Sequence, residues 1–163
     1  MSKVEQKLRE NRNRRAREKL LSELPEPLAR YLEQVDFSSD SMCLRYAAFS
    51  TWDQSTDTQT TTRGVIANWR NFTFQYWSDL FGAFRGLPSR EYEGRLFFDI
   101  DGPYYKVKLS ELRLFLSELE LFTTQNESFD FGWVGADLDC GVIAEFNHTS
   151  FCRNDFELSV WGI

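Results

Sequence analysis

The 163-residue chain holds a single histidine, His148, and only three cysteines, Cys43, Cys140 and Cys152. A structural zinc site wants four ligands, and there is no Cys-x-x-Cys pair and no second histidine to supply them. Cys140, His148 and Cys152 reach three at most, so ordinary loop and core roles are expected, with no metal and no cofactor. An odd cysteine count fits reduced thiols better than a disulfide framework. No apolar run approaches the ~20 residues of a membrane span. The first twenty residues are charged and have no apolar stretch of the secretory kind, so a cytoplasmic protein without membrane contacts is expected.

Catalytic signatures are equally scarce. No phosphate loop, dinucleotide fingerprint or nucleophile elbow occurs. Cys152 lies four residues from His148 but has no orienting third group. Asp99-Ile100-Asp101-Gly102 and the stretch Asp137 to Gly141 begin like calcium loops but lack the later ligands and the closing glutamate. Both suit turns, where Asp and Gly are common. A non-enzymatic role is therefore expected.

Aromatic residues are plentiful, with fifteen Phe, six Tyr and five Trp. A hydrophobic fraction of 42% in 163 residues suits one domain with a real core. Charge is uneven. Residues 1–30 carry 9 Lys/Arg against 5 Asp/Glu, whereas residues 31–163 carry 10 against 20. The expected organisation is a basic N-terminal helix over residues 1–24 and an acidic domain over 25–163. An acidic body repels nucleic acid and attracts basic partners.

The pattern predicts α+β, with N-terminal helices packed on a mainly antiparallel sheet that ends in a three-stranded meander. Residues 2–24 read as a helix whose sparse apolar residues make only its C-terminal end look packed. Loss of residues 1–20 should then be tolerated. A second helix is predicted from Pro27, with Leu28, Tyr31, Leu32 and Val35 on one face. Residues 42–52 fit a strand, 53–62 a polar loop, and 64–70 either strand or helix. Phe74, Trp77, Leu80, Phe81 and Phe84 mark a helix that stops at Gly86. Leu96, Phe98 and Ile100 begin a hairpin with a turn at Asp101-Gly102 and a return strand through Tyr105, Val107 and Leu109. Ser110 is the expected cap of a helix with Leu112, Phe115, Leu116, Leu119 and Phe122 on its stripe. Strands follow at 129–135, 141–147 and 155–162.

Two surfaces are candidates for binding. Arg9, Arg12, Arg14, Arg15 and Arg17, with Lys19, form a basic run that resembles the arginine-rich peptides of phage proteins that hold RNA hairpins. Arginine grips phosphate bidentately, although Glu5, Glu10 and Glu18 also suit a solvated helix with internal ion pairs. In the meander, alternation puts Phe131, Trp133, Val142, Ala144, Phe146, Phe156, Leu158 and Val160 on one side. Asp130, Val134, Ile143, Glu145, Asn147, Glu157, Ser159 and Trp161 fall on the other. Asp130, Glu145 and Glu157 are the candidate contacts for a basic partner, and Trp161 is the candidate anchor.

With its small size, acidic body, aromatic content and closing strand FELSVWG, the chain resembles the small bacterial immunity proteins of contact-dependent or colicin-like toxin systems. The resemblance implies a toxin domain as partner, often a nuclease with a cationic groove, and acidic residues that mimic phosphate. Two other roles fit: an RNA-binding or phage-derived regulator that uses residues 9–19, and an assembly subunit that docks through its first helix.

Overall fold

The computed structural model describes residues 2–38, 60–65, 69–87, 93–98, 103–126, 131–137, 140–148 and 154–161. The expected strand at 42–52, residues 53–59 of the expected loop and the Asp101-Gly102 turn lie outside them. Among the described residues there are five α-helices: α1 (Lys3–Glu23), α2 (Glu26–Leu32), α3 (Trp69–Gly86), α4 (Leu109–Leu112) and α5 (Leu116–Asn126). A single 3-10 turn, Arg113–Phe115, joins the last two. The strands are β1 (Phe37–Ser38), β2 (Thr60–Val65), β3 (Glu93–Phe97), β4 (Tyr104–Lys108), β5 (Phe131–Gly135), β6 (Gly141–His148) and β7 (Asn154–Trp161). They form one antiparallel sheet in the order β1-β4-β3-β5-β6-β7-β2. The fold is α+β, as the sequence pattern predicts.

Local chemistry sets most helix ends. Ser2 and Glu5 form a capping box on α1: the Glu5 N–H donates to Ser2 Oγ at 3.2 Å and the Ser2 N–H donates to Glu5 Oε2 at 2.6 Å. Pro25 follows Leu24 and stops that helix. Pro27 sits in the first turn of α2, where its missing N–H costs nothing. Gly86 closes α3. Two sequence expectations shift. α4 starts at Leu109, directly off β4, so Ser110 is inside the helix and provides no side-chain cap. Thr60, Thr61 and Thr62 are strand residues paired with β7 and not part of a loop, because the ladder to Val160, Ser159 and Leu158 satisfies their backbone. The ambiguous 64–70 stretch divides, with Gly64 and Val65 in β2 and Trp69 and Arg70 in α3.

One face of the sheet meets the helices. Leu96, Tyr105, Val107, Phe131, Trp133, Val142, Ala144 and Val160 come from the strands. Leu28 and Leu32 of α2, Leu80, Phe81 and Phe84 of α3, and Leu112, Leu116, Leu119 and Phe122 from the α4–α5 segment pack against them. Each buried Val, Leu or Phe among them contributes roughly 1.5–3 kcal/mol. Phe98, just past β3, stays on this side, with its ring 5.6 Å from those of Phe122 and Phe131. Trp133 meets its polar need by donating Nε1–H to the Val107 carbonyl at 3.1 Å.

Candidate functional site

The sheet registers test the two-sided reading of the meander. Phe131 pairs with Ala144, Val142 with Val160, and Ala144 with Leu158; Phe131, Val142, Ala144 and Val160 face the helices. Val134, Ile143 and Trp161 lie on the opposite face, as alternation predicts. In the ladder, Glu145 of β6 stands directly opposite Glu157 of β7. Arg63 of β2 stands opposite Glu157 on its other side. A glutamate pair and an arginine therefore run across three adjacent strands. Asp130, the third acidic candidate, lies outside the described residues.

Trp161 does not serve as an exposed anchor. It is only 4% exposed and belongs to a second apolar cluster with Phe97, Val134 and Ile143, with Tyr104 packed at its margin. Its register partner is Gly141, and the indole lies across that glycine so closely that a Cβ there would overlap the ring. Phe97 covers Gly132 in the same way. The two glycines leave slots that the rings fill, where a side chain at either position would overlap them. At the edge of the cluster the Arg95 guanidinium sits over the Tyr104 ring, 5.6 Å from its centroid. Alternation assigns a residue to a face; it does not say whether the neighbouring strand offers a slot. The visible signal was Gly132 and Gly141 inside strand patterns, since a strand glycine marks the close approach of another group.

The basic run divides at Arg17. One terminal nitrogen of Arg17 donates to the carbonyls of Leu32, Glu33 and Val35, at 3.0, 3.1 and 3.2 Å. These oxygens belong to the end of α2 and the chain just beyond it, where a cation complements the helix dipole. The guanidinium also lies 5.4 Å from the Phe37 ring centroid and 5.8 Å from that of Tyr105. Burial pushes the Tyr105 hydroxyl up to about 12, and the adjacent Arg17 charge partly opposes it. The two groups are close, yet Tyr105 Oη and Arg17 Nε are both buried without a well-formed hydrogen bond. Arg17 therefore ties α1 to α2 and β4 and is removed from the nucleic-acid candidates. Sequence reasoning grouped it with its neighbours because all five arginines share one run; only helix phase and the fold distinguish it.

The remaining arginines, Arg9, Arg12, Arg14 and Arg15, are exposed. Arg14 bonds to Asn11 at 3.3 Å and pairs with Glu18 at 3.8 Å. Arg12 and Arg15 have no ion-pair partner among the described residues. With Leu8 and Asn11 they line a concavity of about 350 Å³.

Cys140 is buried in the main core, as a small apolar residue would be. His148 ends β6 opposite Asn154, and Cys43 and Cys152 lie outside the described residues. Among the described residues, no group of three or more His, Cys, Asp or Glu stands together in a way that could hold a metal ion. No described helix is long and apolar enough to cross a membrane. No protein-family model, curated protein or solved structure matches this chain.

Proposed function

We propose that the protein acts by binding and not by catalysis, as an inhibitor that neutralises a basic protein partner in the manner of an immunity protein facing a nuclease-type toxin domain. The observation that supports this most directly is the register that sets Glu145 against Glu157. Like charges directly opposite one another weaken an isolated antiparallel pair. Arg63 is the register partner of Glu157 on its other side, and a cationic partner would relieve the repulsion between the glutamates. The body around the pair has the same sign: residues 91–163 carry 14 Asp/Glu against 5 Lys/Arg. With Trp161 built into the sheet, recognition here rests on charge. Charge acts most strongly on association rate and its salt dependence.

The test begins with the genes beside this one. A basic toxin domain encoded there is titrated with the wild-type protein and with Glu145→Lys/Glu157→Lys at low and high salt. Circular dichroism checks that each variant is folded. The double reversal is expected to slow association about tenfold or more and to flatten its salt dependence. Trp161→Ala is expected to cost about 3–5 kcal/mol of stability, since it empties a buried site. The surviving folded fraction should still associate at the normal rate. A folded double reversal that binds and protects as well as wild type removes the acidic row from the mechanism.

A further inference from the structure

The first helix presents a face that the acidic sheet does not explain. At ~100° per residue, Arg17, Leu20, Leu21 and Leu24 point toward the body of the protein, where Leu20, Leu21 and Leu24 join the main core. Val4, Leu8, Asn11, Arg12, Arg15 and Lys19 fall on the opposite third of the helix. No carboxylate lies within that sector. Glu5 and Glu18 border it, but Glu5 is engaged in the capping box and Glu18 with Arg14. Lys19 lies 3.8 Å from Glu23, which leaves Arg12 and Arg15 as the cations without a described partner. Val4 and Leu8 are 68% and 62% exposed on the same stripe. In total, residues 3–16 hold six Lys/Arg against two Asp/Glu.

The stretch from residue 3 to residue 16 spans roughly 21 Å of helix. Every residue from Lys3 to Arg12 is exposed, so a polyanion can reach this part of the helix.

We infer that this outward face of α1 binds RNA, with Arg12 and Arg15 gripping phosphates and Leu8 and Asn11 meeting an unpaired base. Arginine matches phosphate with two parallel N–H bonds, and its charge-assisted contacts are the strong ones. A looped RNA presents both phosphates and splayed bases, which an amide and an aliphatic side chain can meet. A long rigid duplex would carry its phosphates on past the arm toward the acidic body. The inference is independent of the acidic row on the sheet.

The experiment is fluorescence anisotropy with a short labelled RNA hairpin carrying a purine-rich loop. A DNA duplex of equal length and a polyglutamate peptide serve as comparison probes. The full chain should bind the hairpin with an affinity that falls steeply with salt and is tighter than for either comparison probe. Arg12→Ala/Arg15→Ala should abolish most of that binding and lower the salt slope by about 1.4, the value for two phosphate contacts on a single strand. Arg14→Ala, off the face and paired with Glu18, should cost less than either outward substitution. Circular dichroism confirms that α1 remains helical in each variant. Equal binding of polyglutamate would show that the face takes an acidic protein surface, and would overturn the proposal. So would undetectable RNA binding at low salt, or a folded double variant that binds RNA normally.

Discussion

The two ends of α1 share a secondary structure and little else. From Lys3 to Arg12 every residue is exposed, and helix stability there rests on the capping box and on local pairs such as Gln6 with Glu10 at 3.1 Å. From Arg17 onward the helix is wired into the body through three carbonyls, two aromatic rings and the aliphatic side chains of Leu20, Leu21 and Leu24. Both ends are rich in charge, so composition does not separate them. The difference comes from what lies opposite each turn. A guanidinium facing the unsatisfied carbonyls of α2 becomes a structural bond, and the same group two residues earlier faces water. An arginine's role is thus set by its phase on the helix and by the neighbour that phase selects.

Truncation would expose this difference most strongly. Removing residues 1–14 is expected to change stability by no more than about 0.5 kcal/mol, since surface residues away from specific contacts contribute little. Removing residues 1–20 deletes Arg17 and Leu20 and is expected to cost about 3 kcal/mol, through unpaired, partly buried carbonyls and lost apolar contact. This reverses the tolerance that the sparse apolar pattern alone predicts. Urea denaturation of the two truncated proteins measures both values, and similar midpoints would erase the distinction between the two ends.

A smaller effect is expected from Arg17 alone. Arg17→Ala should cost about 2 kcal/mol, as hydrogen bonds from a charged donor do when partly buried acceptors are left unmet. Arg17→Lys should recover only part of that, because an ammonium lacks the planar fork and stacks less well over Phe37 and Tyr105. Thermal unfolding of the three proteins ranks them, and a neutral Arg17→Ala would mean that water satisfies these carbonyls equally well.

The smallest expected effect is the pH response. Tyr105 is raised from 10.0 to about 12 by burial, and Tyr31 is raised as well, by burial and by its 2.7 Å hydrogen bond to Glu111. The folded state therefore holds protons that the unfolded state releases first. The contribution is fully present below about pH 10, and stability falls as pH rises from about 10 toward 12. Because the Arg17 charge lowers the Tyr105 value, Arg17→Ala should extend that decline to higher pH. Denaturation midpoints across the alkaline range, with Tyr105→Phe as the control that flattens the slope, check the sign.

Much of the architecture was legible in the chain. The 3.6-residue stripes at Leu28 and Leu32, at Leu80, Phe81 and Phe84, and at Leu112 through Phe122 correspond to buried helix faces. Two-residue alternation correctly sorted Phe131, Trp133, Val142, Ala144 and Val160 from Val134, Ile143 and Trp161. Hidden from view were the two-residue strand β1, the placement of β2 beside β7, and the position of β3 beside β5. All three depend on backbone pairing between segments distant in sequence, which leaves little local signature.

The sequence by itself determined the apolar stripes of the helices, the three strands of the meander, the sorting of Phe131, Trp133, Val142, Ala144 and Val160 from Val134, Ile143 and Trp161, and the split between a basic first helix and an acidic remainder. These follow from periodicity, proline and glycine placement, and charge, all of which act over a few neighbours. Tertiary structure alone decided that Trp161 fills a slot over Gly141 and that Arg17 is a clamp while Arg12 and Arg15 face outward. It also decided that Glu145 and Glu157 stand side by side. Each of these depends on which distant backbone or side chain comes into contact, and chain closure, not local propensity, selects that partner.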